Sequence, residues 1–523
     1  MSSFVIFSGG TACNHIARAF HSDPTNDVCY VLGISDNGGS SSELLRVLGG
    51  PSIGDLRSRL TRLIDFVEDG QLPPERTAIR DLLSYRLPAD APEQDIKDEW
   101  TLIVEGRHPL WQPIPNEKKE AIRGFLTSFH CEILKRAHKR FDFRNGSIGN
   151  FFLTGARLFF GSLEAALFLF AAITGISQRA LVVPVINTNH TATIAAELQN
   201  GETLSGQNEI SHPAPVQPGF AGRRPPTPGC RWTLPNPIDA FSHLAIDDQD
   251  DDNDSTQTNR NLIFSKHENT KLASPIQRIY YINQYGQEVF PVPNPKVISH
   301  LSSKRTLIYS IGSLYTSIVP NLILRNVGNT IAHSSSLVHK ILLLNGSNDR
   351  ETCDFTAVDF IDTIAAALNQ SRKIDARRAF YQTINEPLPV DSNGLLLAPH
   401  RPALSMSSCS SASSSMTTNT TYQTTEASSI SLSSSHPWAH GSMPGTPTHH
   451  YPPFPDHSFV SSPPSAFITH LIYLDNGQIP VDLQTIENYG IRCIQIPGTL
   501  SPEGEPIYDE AILSQTLSKI TSS

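Results

Sequence analysis

Two short apolar runs, each ending in a glycine-rich turn that opens a helix, constrain the fold of this 523-residue chain more than any other feature. Val5-Ile6-Phe7 runs into Gly9-Gly10-Thr11, and Ala12 to Phe20 reads as the helix that follows. Val28 to Ile34 runs into Ser35-Asp36-Asn37-Gly38-Gly39-Ser40-Ser41-Ser42, then into a helical Glu43 to Leu48. Strand, glycine loop and helix in repetition are the pattern of a parallel sheet with crossover helices. Further strand candidates are Ala180 to Val185, Thr306 to Ile311, Lys340 to Leu344, His470 to Leu474 and Arg492 to Ile496. Helical stretches follow several of them, notably Val358 to Gln370 and Leu483 to Asn488. The expected class is α/β: a Rossmann-like, mostly parallel sheet with flanking helices, in a single domain interrupted by disordered insertions.

That domain is expected to span residues 1–497, with 498–523 as a C-terminal tail. Residues 72–143 read as a helical expansion; Asn116 can cap a helix whose apolar positions Ile122, Phe125, Leu126, Phe129 and Ile133 follow helical spacing. Hydrophobic residues make up only 39% of the chain and charged residues 17%, a core diluted by polar sequence. The dilution concentrates in two places. Residues 213–270 are Pro-rich and then acidic, and 405–464 are rich in Ser, Thr, Pro and His with few aliphatics. Neither can bury enough apolar surface to offset chain entropy, so both read as disordered insertions. His449-His450 falls in the second and reflects its composition rather than a metal site.

A net charge of −10 argues against a generally basic nucleic-acid binder. Six of the acids lie between Asp247 and Asp254, so the remainder is only mildly acidic. The seven cysteines form no C-x-x-C pair and no zinc spacing with histidine, which fits a reduced, cytoplasmic protein. The first residues lack a basic segment and their apolar run breaks at Gly9-Gly10, which disfavours a signal peptide. The apolar stretch Phe151 to Ile176 carries Arg157 and Glu164, each costing roughly 2.5–3.5 kcal/mol at a bilayer centre, and three glycines. A buried helical segment, with no membrane partner, is the better reading.

The chemistry concentrates in the loops. Gly9-Gly10-Thr11 leaves backbone N–H groups at a helix start, where the macrodipole favours an anion. The loop matches neither G-x-G-x-x-G nor G-x-x-x-x-G-K-[ST], which disfavours a standard dinucleotide dehydrogenase or a P-loop NTPase. Asp36 stands at a strand's carboxyl end with Asn37, Gly38, Gly39, Ser40 and Ser41, where open α/β sheets place their ligands. It can hold Mg²⁺ or a nucleotide hydroxyl, or act as a general base, while a plain helix cap explains the serines equally well. Asp55, in Gly54-Asp55-Leu56-Arg57, can be a ligand-facing acid or a helix cap, and Arg57 a phosphate partner or a solvated side chain. Asn150, in Gly146-Ser147-Ile148-Gly149-Asn150, opens the apolar segment. The most distinctive run, Ile311 to Leu322, offers amides at Gly312 and Ser313, the hydroxyls of Ser313, Thr316 and Ser317, an aromatic plane at Tyr315, and Asn321.

Together these stretches resemble the 2-phospho-L-lactate transferase (CofD-like) family, and their wording is closer to its gluconeogenesis-factor (YvcK-like) branch. The resemblance rests on "FSGGTA", "ISDNGGSSSELLRVLGGPSIGDLRSRL", "NGSIGNFFLTGA", "VINTNHTATIAAELQNGETLSGQNEIS" and "SIGSLYTSIVPNLIL", and continues to about Pro497. It implies a nucleotide-conjugate ligand, UDP-sugar-like, in a regulatory role in carbon metabolism, with Gly9, Gly10, Thr11, Asn37 to Ser41, Asp55, Asn150, Gly312, Ser313, Tyr315, Thr316 and Asn321 around it. The alternative it implies is Mg²⁺-dependent phosphoryl-type transfer from a guanosine-diphosphate-linked donor, with Asp36 as metal ligand or catalytic residue. Asn37 stands where the family pattern has a second acid, which removes one metal ligand or base. No nucleic-acid partner is implied, and a homo-oligomer is compatible with the sequence.

Overall fold

The computed structural model describes residues 2–36, 38, 40–66, 72–211, 271–283, 285–385 and 453–522. The chain divides into two compact units, Met1–Ala376 with Phe459–Ser523, and Arg377–Ser458. The expected disordered segment 213–270 lies outside the described residues, as does 405–464 up to residue 452.

In the first unit, thirteen strands are described: β1 (Ser3–Ser8), β2 (Asp27–Leu32), β3 (Ala180–Pro184), β4 (Thr193–Leu198), β5 (Thr203–Ser205), β6 (Ile276–Ile282), β7 (Glu288–Val289), β8 (Thr306–Tyr309), β9 (His339–Leu343), β10 (His470–Leu474), β11 (Arg492–Ile496), β12 (Gly498–Leu500) and β13 (Pro506–Tyr508). Seven of them form one sheet in the order β11-β10-β9-β8-β1-β2-β3. Every pairing in it is parallel. Continuous apolar runs such as Phe4 to Phe7 and Cys29 to Leu32 are buried, as a sheet covered on both faces requires.

The order matters for function. From β1 the chain builds outward through β2 and β3. It then returns to the other side of β1 as β8 and proceeds outward through β9, β10 and β11. The direction reverses between β1 and β8, and such a switch point opens a crevice at the carboxyl ends of the two strands. Between β3 and β8 lies a second, antiparallel sheet, β5-β4-β6-β7.

The helical expansion carries Pro74–Ser84, Glu93–Glu105 and Asn116–Leu134. Asn116 does not cap the last of these: the cap position is Pro115, and no side chain caps it. The apolar stretch 151–176 is two helices, Ile148–Phe160 and Leu163–Thr174, parted at Gly161 with φ of 63°. No helix among the described residues is long and apolar enough to cross a membrane. Gly155 lets the first of the pair lie against Asn116–Leu134, since a Cβ there would meet the Phe125 carbonyl oxygen at 2.1 Å.

Residues 498–522, expected as a tail, are structured. β12 and β13 pair antiparallel, and the helix Glu510–Ser522 buries Leu513, Leu517 and Ile520. The buried Tyr508 hydroxyl donates to the Leu344 carbonyl at 2.7 Å, beyond the end of β9. The segment lacks a long apolar run, yet its few apolar residues recur at helical spacing and find the sheet. Each such side chain contributes roughly 1.5–3 kcal/mol when buried. Truncation after Pro497 is therefore expected to lower the urea midpoint sharply or abolish cooperative unfolding; an unchanged midpoint contradicts this packing.

Candidate functional site

Four loops leave the carboxyl edge of the sheet around the switch point: those after β1, β2, β8 and β9. Their closest approaches are made through glycines. A Cβ on Gly9 would stand 2.6 Å from Ser317 Oγ, and one on Gly10 would stand 2.2 Å from Asp55 Oδ1. The β1 loop thus lies between the β8 loop and the helix Gly54–Ile64. A Cβ on Gly54 would meet Ser41 Oγ at 2.7 Å and Asp36 Oδ2 at 3.7 Å, which brings the β2 loop to the same helix start. The short helix Gln207–Ser211 closes the ring, with Asn208 Oδ1 3.2 Å from where a Gly38 Cβ would be.

The expected residues therefore converge on one rim, with particular placements. Thr11 is exposed at the start of the 3-10 helix Ala12–His15. Ser41 is buried in the helix Ser40–Leu48, while Asn37 and Gly39 lie outside the described residues. Asn150 is buried in the first turn of Ile148–Phe160 and accepts from Arg57 Nε at 3.3 Å. Asn321 is buried; its amide nitrogen donates to the Ser317 carbonyl at 2.8 Å, and its Oδ1 has no hydrogen-bond partner. Gly312, at φ of 142°, adopts a backbone conformation open to glycine, and its peptide is held by Asn345 through both N–H and C=O.

Two expectations need correction. The first is the open amide cradle. Residues Leu314–Ile318 form a π-helical turn, a rare geometry that recurs at functional sites. Its Tyr315 and Thr316 amides donate to Glu351 Oε2 at 2.9 and 3.1 Å. Thr316 Oγ1 and Ser211 Oγ donate to Glu351 Oε1 at 2.6 and 2.5 Å. The Ser317 amide donates to the Ser313 carbonyl. On the β1 loop the Gly10 amide is hydrogen-bonded to Asp55, and on the β2 loop Gly38 N–H donates to Asp36 Oδ1 at 2.9 Å. Apart from the Ser317 amide, carboxylates of the chain itself already occupy these donors.

The second is the Tyr315 plane. Its ring is only 6% exposed and stands edge-on to Phe355 at 6.2 Å, so it packs in the interior rather than offering an open face. In the string "SLYTS" the adjacent Leu314 and Tyr315 are both buried, and the π turn directs the aromatic inward.

Glu351, which ties the β8 loop, the β9 loop and Gln207–Ser211 together, was not singled out from sequence. Its only signal was an acid seven residues past a buried strand, in "LLLNGSNDRE". Burial, then the charge of Asp349, pushes its carboxyl up to about 7 against the opposing pull of its donors. Burial and then the neighbouring Asp36 push Asp55 up to about 7 as well, while burial raises Asp36. Behind this pair the fully buried Arg59 donates to the Gly9 carbonyl at 3.4 Å and stacks over Tyr30 at 4.5 Å. The Gly9–Gly10 peptide is thus fixed from both sides by one helix face, Arg59 on its oxygen and Asp55 on its nitrogen.

Two close carboxylates that resist ionisation suit a divalent cation. Among the described residues no cluster of three or more such ligands exists, so ligand oxygens and water would supply the remaining coordination, as Mg²⁺ usually arranges. Asp55, from another loop, supplies a second acid beside Asp36.

Residues 4–391 match the family described as 2-phospho-L-lactate transferase CofD. The chain belongs to this family. It is 33% identical over 527 residues to the uncharacterized protein YNL011C of Saccharomyces cerevisiae, covering 98% of each chain. In fold it is similar to two crystal structures of the Bacillus halodurans protein BH3568, a member of the UPF0052 family, at TM-scores of 0.51 and 0.52 and 12% identity, over 99% of each chain.

Two outcomes test this geometry. Glu351→Ala strips acceptors from two buried amides at about 1–3 kcal/mol each, whereas Glu351→Gln keeps one carbonyl oxygen. In urea denaturation the Ala variant is expected to lose clearly more stability; equal losses contradict the tie. For Asp55 the folded carboxyl titrates above its unfolded value, so its contribution is full below about pH 4 and is lost as pH rises through about 7. Asp55→Asn should therefore exceed the parent in stability at pH 8, on the order of 1–3 kcal/mol, with the gap closing toward pH 4. A gap that widens on acidification contradicts it.

Proposed function

We propose that the chain binds a nucleoside-diphosphate conjugate across the β1/β8 switch point and acts on it by metal-assisted transfer of a phosphorus-containing group. The observation that carries this reading is the meeting of Asp36 and Asp55 from two loops. A bound Mg²⁺ would neutralise charge on the diphosphate during transfer. Asp36 and Asp55 would hold it, while Arg59 and Asp55 keep the Gly9–Gly10 peptide in register. The family description, 2-phospho-L-lactate transferase, supports transfer of a phosphorus-containing group, and a guanosine-diphosphate-linked donor is what the motif resemblance implies.

A second reading, a UDP-sugar sensor regulating carbon use without turnover, is favoured by Asn37, which stands where the family pattern has an acid. Thermal shift and product analysis separate the two. A ligand at a hundredfold excess over its Kd stabilises the fold by roughly 2.7 kcal/mol. The transferase reading expects a GDP response that needs MgCl₂, is lost in Asp36→Asn, and accompanies release of nucleoside monophosphate from a donor. A UDP-sugar response without product supports the sensor, and no response to either nucleotide overturns both.

A further inference from the structure

The rim amides of Gly10, Gly38, Gly312, Tyr315 and Thr316 are already engaged by side chains of the chain. An anionic ligand therefore needs a different donor. One stands two residues after Asp55 on the same helix. Arg57 reaches toward the first turn of Ile148–Phe160, where its Nε donates to Asn150. Its terminal nitrogens have no hydrogen-bond partner among the described residues, and no carboxylate there forms an ion pair with it. The surroundings are built closely around it: a Cβ on Gly149 would lie 3.1 Å from Arg57 Cγ and Cδ. Arg86 approaches the same turn, bridging to Ser147 and donating to the Asn145 carbonyl at 3.1 Å.

We propose that Arg57, flanked by Arg86 and Asn150, forms an anion subsite for the second phosphate of the ligand, separate from the glycine loops. Two guanidinium groups beside one helix N-terminus create a local positive field, and a guanidinium fork matches a phosphate bidentately. Consistent with that field, burial and then the Arg86 charge lower the Arg57 guanidinium to about 10, with Asp55 pulling the other way. The carboxylate pair at Asp36 and Asp55 and the guanidinium pair at Arg57 and Arg86 then bracket a diphosphate from opposite chemistries. The subsite deepens the proposed function and rests on it.

The test compares GDP with GMP, and UDP with UMP, by isothermal titration in MgCl₂. The parent protein is expected to bind a diphosphate at least tenfold more tightly than its monophosphate. Arg57→Gln should level that preference while leaving monophosphate affinity within about twofold. Arg57→Lys, which keeps charge but not the fork, should fall between. Circular dichroism melting checks that Arg57→Gln folds; if it does not, Arg86→Gln, at the outer side of the pair, must reduce the preference by at least threefold. Full preference retained in a folded Arg57→Gln overturns the subsite and leaves nucleotide binding standing. Failure of the parent to bind any of the four probes overturns the binding reading itself, and the subsite with it.

Discussion

Buried carboxylates hold the rim of this sheet together. Asp55 takes the Gly10 amide, Asp36 the Gly38 amide, and Glu351 the amides of Tyr315 and Thr316 with two hydroxyls. In many α/β proteins such donors are left for a phosphate. Here the chain supplies its own anions, and the cost shows in their raised pKa values. Strain of that kind gathers at functional sites. On the proposed reading it also changes what the site would recognise: a cation between the acids, and an anion on the neighbouring guanidinium groups.

Topology explains why these groups meet at all. β1 and β8 are adjacent, although roughly 300 residues of chain separate them, and the loops that follow them share one edge of the sheet. The approach is possible only because Gly9 and Gly10 carry no Cβ; any side chain would collide with Ser317 or Asp55. The glycines of these loops therefore serve close packing between loops, while the carboxylates and arginines carry the charge. The helix Gly54–Ile64 contributes Asp55, Arg57 and Arg59 within two turns, and so supplies an acid to the site, a cation to the flanking turn and a brace behind the β1 loop.

All seven strands of the main sheet were legible as short apolar-rich runs, most of them followed by a glycine turn, and the central strands β1, β2, β8 and β9, buried on both faces, are the most continuously apolar. The β4–β7 sheet was not. Its strands are mixed in polarity, and β4 finds its partner β6 about 80 residues away. Asn116 looked like a cap by residue type, yet Pro115 takes that position, with its fixed φ suited to a helix start. The convergence of Gly10, Asp36, Asp55 and Thr316 followed from motif order along the chain. What sequence could not carry was the pairing of groups across loops: Glu351 with the β8 loop, and Asp55 with Asp36. Such pairings depend on side-chain reach across loops far apart in the chain.

The most direct measurement is an experimental structure of the full chain with bound GDP and Mg²⁺. The account predicts the nucleotide at the carboxyl ends of β1 and β8, the cation on Asp36 and Asp55, and Glu351 still bonded to the Tyr315 and Thr316 amides. A nucleotide at the amino ends of the strands, or phosphate oxygens on those two amides with Glu351 displaced, would contradict it.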